Sequence, residues 1–176
     1  MRKTTILSTI KLNAAHVEMF SENNIELLQY NFIKILPLNF KLPSHNASWI
    51  FTSKNAVDAV YSSNEKVKCN EMPHYCVGEK TKLALVKNGQ KVIKTCNNSV
   101  KLANFIINND KNGKYVFCRG SIINKDFSDF FHTNKINLNE IAVYQTELVP
   151  EKINSTVDGI MFFSPSAIKS FMKKNT

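Results

Sequence analysis

Phe51-Thr52-Ser53-Lys54-Asn55-Ala56-Val57 and Phe162-Phe163-Ser164-Pro165-Ser166-Ala167-Ile168 share one pattern: aromatic, any residue, Ser, any residue, polar, Ala, branched aliphatic. In each copy an apolar strand runs up to Ser and a helix starts within a few residues, so the Ser hydroxyl is placed to cap it. The recurrence predicts two related strand–turn–helix units. The carboxyl end of a strand facing a helix N-terminus also gathers unpaired N–H groups and the positive end of the helix dipole, which suit carboxylate or phosphate. Ser53 and Ser164 therefore have two readings, as helix caps only or as caps beside a ligand.

Outward from these copies, short apolar runs alternate with segments of helical period, the βαβ pattern of a parallel-sheet α/β protein. Strands are predicted over Ile6–Ile10, Leu27–Leu36, Trp49–Thr52, Tyr75–Val77, Lys91–Ile93, Tyr115–Cys118, Ile136–Tyr144 and Ile160–Phe163. Helices are predicted over Ala14–Phe20, Asn55–Tyr61, Thr81–Lys87, Val100–Ile107, Phe127–Phe131 and Ala167–Met172, each with one apolar stripe. Gly89 and Gly113, each after Asn, read as helix C-caps or turns. Two loose segments, Pro37–Asn46 and Glu147–Val157, separate the units. The expected domains are residues 1–34 with 149–176, forming one discontinuous unit, and residues 35–148 inserted within it. Gly78-Glu79-Lys80-Thr81 is a further strand-to-helix turn of the inserted unit. Its counterpart in the other unit falls beyond Thr176, so that domain is expected to be truncated by at least one βα pair.

Composition narrows the classes. The 176 residues are 43% hydrophobic, with mean hydropathy −0.22, enough apolar material for a packed core. The longest apolar runs fall far short of the roughly 20 residues a membrane helix needs. The basic start, Met1-Arg2-Lys3, is not followed by a sustained apolar region, so a cytoplasmic protein is expected. The net charge is +9, yet 21 of the 23 basic residues are Lys and only Arg2 and Arg119 are Arg. Beside 22 Asn, that bias reads as compositional drift spread over the surface. Base readout and phosphate forks favour Arg, so nucleic acid is not the expected partner; a mild attraction for anionic ligands such as polycarboxylates remains. Cys69, Cys76, Cys96 and Cys118 form no C-x-x-C pair, and His16, His45, His74 and His132 are scattered. Free thiols and no metal site are expected, with Cys76 and Cys118 in core strands.

Nucleotide cofactors are disfavoured, because five Gly build neither G-x-G-x-x-G nor a phosphate-wrapping loop. No G-x-S-x-G elbow, H-E-x-x-H or paired carboxylates point to a conventional hydrolase. Two residues stand out. Tyr144 follows Ile141-Ala142-Val143 where a long strand leaves the inserted unit, and its phenol either donates a hydrogen bond or fills the domain edge. Arg119 follows Tyr115–Cys118 at a third strand-end turn, as a ligand contact or a solvated charge.

Five segments in order resemble the uroporphyrinogen-III synthase family: Trp49–Val60 its "FTS-x-x-A-V", Cys76-Val77-Gly78 with Thr81 its "VG-x-x-T", Val116–Gly120 its "hydrophobic-RG", Val143-Tyr144-Gln145-Thr146 its "VY-x-T", and Phe162–Ala167 its "F-T/F-S-P-S-A/G". The resemblance implies two Rossmann-like parallel-sheet α/β domains joined by a two-stranded linker, the second inserted into the first. It implies a monomeric, cofactor-free enzyme of haem biosynthesis, a hydro-lyase that cyclises linear hydroxymethylbilane to uroporphyrinogen III. Loss of water from the hydroxymethyl group gives an azafulvene; ring D attacks at its substituted position, and a spiro-pyrrolenine fragments and recloses with ring D inverted. Such chemistry depends mainly on holding a flexible octacarboxylate in one shape. By resemblance Tyr144 assists departure of the hydroxyl, and Thr52, Ser53, Gly78, Thr81, Arg119, Ser164 and Ser166 bind substrate. The sequence departs from the family at Thr9-Ile10, where Thr-Arg is usual, and at Lys54, where Pro is usual; the final "IG-x-T-T-A" turn is absent. A catalytically incompetent two-domain module that binds an anionic metabolite or partner is the competing reading.

Overall fold

The structure is a computed structural model that describes residues 3–43, 46–65, 72–122 and 125–175. The expectations for Cys69, His45 and Arg2 lie outside these residues. The chain divides into two compact units, Met1–Ile35 with Thr146–Thr176, and Leu36–Gln145.

The larger unit grows from β4 (Ser48–Phe51), whose Trp49, Ile50 and Phe51 are all fully buried. A strand apolar at every position belongs where both sheet faces are covered, and β4 is central. In the six-stranded sheet the order is β3-β8-β7-β4-β5-β6, with β3 at Ile33–Pro37, β5 at His74–Val77, β6 at Val92–Cys96, β7 at Lys114–Gly120 and β8 at Asn137–Leu148. β4 pairs in parallel with both β5 and β7, β5 with β6, and β7 with β8. The chain thus winds outward from β4 through β5 to β6, then returns to lay β7 against the other side of β4.

Alternation along each strand sorts the core into two layers. Trp49, Phe51, Val116 and Cys118 face helices α2 (Lys54–Tyr61) and α3 (Glu79–Lys87), packing with Val57, Val60 and Leu85. Ile50, Tyr115 and Phe117 face α4 (Ser99–Asn109) and α5 (Lys125–Thr133), packing with Leu102, Ile106, Phe127 and Phe131. Cys76 and Cys118 are buried in strands as expected, and Cys76 and Cys96 are free thiols. Burial pushes the Cys76 thiol and the Tyr75 and Tyr115 phenols above their ordinary values.

His74, fully buried at the start of β5, is held at both ring nitrogens. Nδ1 donates to the Met72 carbonyl at 2.7 Å, leaving Nε2 to accept from the Tyr61 hydroxyl at 2.8 Å. The ring stacks on Phe51, with centroids 5.9 Å apart. Burial lowers its pKa to about 4, so the imidazole is neutral at physiological pH.

The smaller unit holds a three-stranded parallel sheet, β2-β1-β9, from Ile25–Gln29, Thr4–Ser8 and Gly159–Met161, with helices α1 (Ala14–Glu22) and α6 (Pro165–Phe171). Its core gathers Leu7, Phe32 and Ala167 with the half-buried Leu28, Ile160 and Phe171. Two sequence expectations change here. The run Leu27–Leu36 is not one strand: the Leu12 N–H donates to the Gln29 side chain and the Lys11 N–H to that of Asn31, and the chain leaves one sheet for the other between β2 and β3. The strand predicted over Ile160–Phe163 ends at Met161. The division between units falls within β3 and β8, the two strands that carry the chain across it.

Candidate active site

Parallel strands place all their carboxyl ends on one side of the sheet, and the winding direction reverses between β4 and β7. Residues that follow those two strands border the crevice where ligands gather in open α/β sheets. A concavity of about 400 Å³ lies there, within the range of small-molecule sites. It is lined by Thr52 after β4, Val77 at the end of β5, Asn97, Asn98 and Ser99 at the start of α4, Phe117, Arg119 and Gly120 of β7, Ile122, Phe127 and Tyr144.

Tyr144 reaches this place through an irregularity in the sheet. Arg119 pairs with Ala142 but Gly120 with Tyr144, so β8 spends one extra residue there. Such a bulge re-aims the side chains beside it. The Ser121 N–H closes the turn on the Tyr144 carbonyl at 2.8 Å. The phenol ring then lies against Gly120, where a Cβ would come within 2.9 Å of the ring Cζ and 3.1 Å of its hydroxyl oxygen. Glycine at position 120 is therefore a steric condition for the seat of Tyr144.

Arg119 is held from two sides. Its Nε donates to Glu140 Oε2 at 2.7 Å and its Nη1 to the Gly120 carbonyl at 2.9 Å. The two charged side chains are 17% and 18% exposed. Across the concavity, α4 begins with Asn98 as its cap, the side chain accepting from the Lys101 N–H at 2.9 Å. A guanidinium and a helix N-terminus lining one concavity favour an anion.

Three of the residues expected from sequence, Thr52, Arg119 and Tyr144, thus meet around one space. Ser53, Gly78 and Thr81 stand at neighbouring strand ends outside its lining. Ser53 caps α2, its hydroxyl accepting from the Asn55 N–H at 3.2 Å. Gly78 caps α3 at φ 83°, a left-handed backbone that glycine adopts without strain, and Thr81 is only 4% exposed. Ser164 and Ser166 belong to the smaller unit; Ser164 caps α6 by accepting from the Ala167 N–H at 3.1 Å, and Ser166 is half-buried. Sequence reasoning missed Asn97, Asn98, Ser99, Ile122, Phe127 and Glu140. Asn98 followed by Ser99 ahead of an apolar stripe was a legible cap; Glu140 carried no signal.

Among the described residues no helix is long and apolar enough to cross a membrane, and no three His, Cys, Asp or Glu side chains group as metal ligands. No curated protein matches the chain in sequence. Among solved structures it is similar to the uroporphyrinogen-III synthetase of Helicobacter pylori, at TM-score 0.71 and 18% identity, over 100% of this chain and 79% of that one. It is also similar to a mutant uroporphyrinogen III synthase of Thermus thermophilus, at TM-score 0.57 and 10% identity, over 84% of this chain and 64% of that one. At such identities the likeness establishes the α/β fold. The family model described as uroporphyrinogen-III synthase HemD matches residues 15–174, nearly the whole sequence, and this chain belongs to the uroporphyrinogen-III synthase family, the cyclising hydro-lyases of haem biosynthesis.

Proposed function

We propose that this chain converts hydroxymethylbilane to uroporphyrinogen III and that the concavity at the β4–β7 reversal is where the inserted unit grips the substrate. The observation that carries this is the meeting of Thr52, Arg119 and Tyr144 around one space at the carboxyl ends of parallel strands. Arg119 and the α4 N-terminus offer donors and positive potential to substrate carboxylates, while Phe117, Phe127 and Val77 supply apolar wall for pyrrole rings. The seat of Tyr144 against Gly120 supports its role in the first step. Its O–H donates a hydrogen bond, and in the transition state a proton, to the departing hydroxyl, which leaves as water; the pyrrole nitrogen then gives up its N–H proton, which restores the phenol and leaves the neutral azafulvene. The later attack by ring D, fragmentation and reclosure need the chain mainly to hold the tetrapyrrole in the folded conformer that brings the reacting carbons together. Ser53, Gly78 and Thr81, and on the smaller unit Ser164 and Ser166, belong to the same proposal as substrate-binding positions. The protein is read as a monomer acting in the cytoplasm.

The test is product identity. Freshly made hydroxymethylbilane closes by itself to the type I isomer, so chromatography after oxidation should find type III with this chain present; type I alone from the folded protein would defeat the proposal. Tyr144→Phe should keep the unfolding curve and lower kcat about 100-fold. Unchanged turnover would remove the role given to the phenol.

A further inference from the structure

Building on the assignment of the concavity as the substrate site, we propose that Glu140 is the positioning residue for Arg119: it fixes the guanidinium so that its remaining N–H groups form a preset receptor for one substrate carboxylate.

The geometry begins with the donor count. A guanidinium carries five N–H donors in a rigid plane. In Arg119 the Nε–H is taken by Glu140 and one Nη1–H by the Gly120 carbonyl. Among the described residues, the other three have no partner. The two anchors hold different nitrogens of the plane and leave both Nη2 N–H groups over, so the plane is fixed and its orientation is set by β7 and β8 rather than by the arginine's own flexible reach. Arg119 and Gly120 both line the concavity, so the fixed group borders the space a ligand would enter. A carboxylate matches a planar fork with two parallel hydrogen bonds, and a fork already ordered loses less freedom on binding.

Stability is a poor explanation of the pair. Both side chains are more than four-fifths buried, where the cost of removing two charges from water roughly cancels their attraction. Glu140 also faces His132, whose Nε2 lies 3.8 Å from Oε1. His132 is 64% exposed and distant for a hydrogen bond, so Arg119 is the partner that Glu140 orders. Paired in this way, Arg119 acts through directed donors more than through net charge. That suits discrimination among eight similar carboxylates better than a free, mobile lysine among the 21 of this sequence.

The experiment combines steady-state kinetics with hydroxymethylbilane and equilibrium binding of uroporphyrin III, an air-stable octacarboxylate followed by its fluorescence. Wild type, Arg119→Ala, Glu140→Ala, Glu140→Gln and the double alanine variant are compared, with a thermal unfolding midpoint for each. Arg119→Ala should raise KM and Kd about 30-fold. Glu140→Ala should raise both about fivefold with kcat unchanged. Glu140→Gln, which retains an oxygen to accept from Nε, should recover most of that loss. In the Arg119→Ala background, Glu140→Ala should add nothing, because a positioning residue has no effect once the group it positions is gone. A fivefold loss that persists in that background, or that tracks a fallen unfolding midpoint in Glu140→Gln as well, would make Glu140 merely structural and overturn the inference. So would Glu140→Ala leaving Kd unchanged or tightening it while Arg119→Ala weakens it; the substrate site itself would then stand. Arg119→Ala without effect, or a wild type that neither binds nor turns over, would instead overturn the assignment of the site and the positioning role with it.

Discussion

The two Ser turns are near copies in backbone and opposites in burial. Ser53 stands at φ −147° and ψ 137° and Ser164 at φ −161° and ψ 155°; each accepts a hydrogen bond from the first turn of its helix, and each is followed three residues on by a fully buried alanine, Ala56 or Ala167. Yet Phe51, two residues before Ser53, is fully buried, whereas Phe162, two residues before Ser164, is 38% exposed. β4 has a strand on both sides and helices over both faces, while β9 pairs with β1 alone among the described strands. The lesson is that a strand-to-helix turn is written by local chemistry, whereas the worth of the residues around it is set by how many neighbours the sheet supplies.

Core truncation should separate the two copies most. Phe51→Ala removes a ring enclosed by Val57, Tyr61 and His74 and should cost about 3–5 kcal/mol. Phe162→Ala, at the matching position and half-exposed against Phe171, should cost about 1 kcal/mol. Urea unfolding measures both, with Trp49, the single tryptophan and a neighbour in β4, reporting on the larger unit. Equal losses at the two positions would dissolve the contrast.

Acid should act next, and on the larger unit through His74. The folded ring titrates at about 4 against an ordinary 6.5, the depressed case, because burial disfavours the imidazolium by more than the hydrogen bond to the Met72 carbonyl favours it. Its contribution is complete above pH 6.5 and is lost as the pH falls toward 4, a slope worth up to about 3 kcal/mol. Unfolding midpoints followed by Trp49 fluorescence across that window should decline in the wild type. A His74→Gln variant, whatever its absolute stability, should lack most of that decline, and an undiminished slope would assign the acid sensitivity elsewhere.

The smallest effect tests the likeness. Ser53→Ala and Ser164→Ala should each cost about 1 kcal/mol, and the glycine variants only a few tenths. Circular dichroism during urea unfolding would register both. A cap at Ser164 worth nothing would mean that the shared motif is a resemblance of letters without shared energetics.

Much of this was legible from residues alone, for reasons specific to each. The run Trp49-Ile50-Phe51 announced a buried strand because only a strand covered on both faces is apolar at consecutive positions. Ser53 and Ser164 announced helix starts because a cap needs only its own side chain and the next three amides. Leu27–Leu36 misled because its apolar residues resume at Tyr30 and Phe32 after single polar ones, and nothing local marks that two different sheets divide them. Arg119 and Tyr144 were singled out by their places at strand ends and Thr52 by the family resemblance, but that the three line one concavity depends on β4, β7 and β8 lying side by side.

The order of residues was enough to set the alternation of strands and helices, the caps and the family pattern, since each rests on neighbours along the chain. Packing in three dimensions was needed to make β4 central and β9 not, to turn Tyr144 onto Gly120 through one extra residue in β8, and to bring Glu140 to Arg119. Those outcomes depend on register between strands far apart in sequence, and a shift of one residue would send every side chain to the other face.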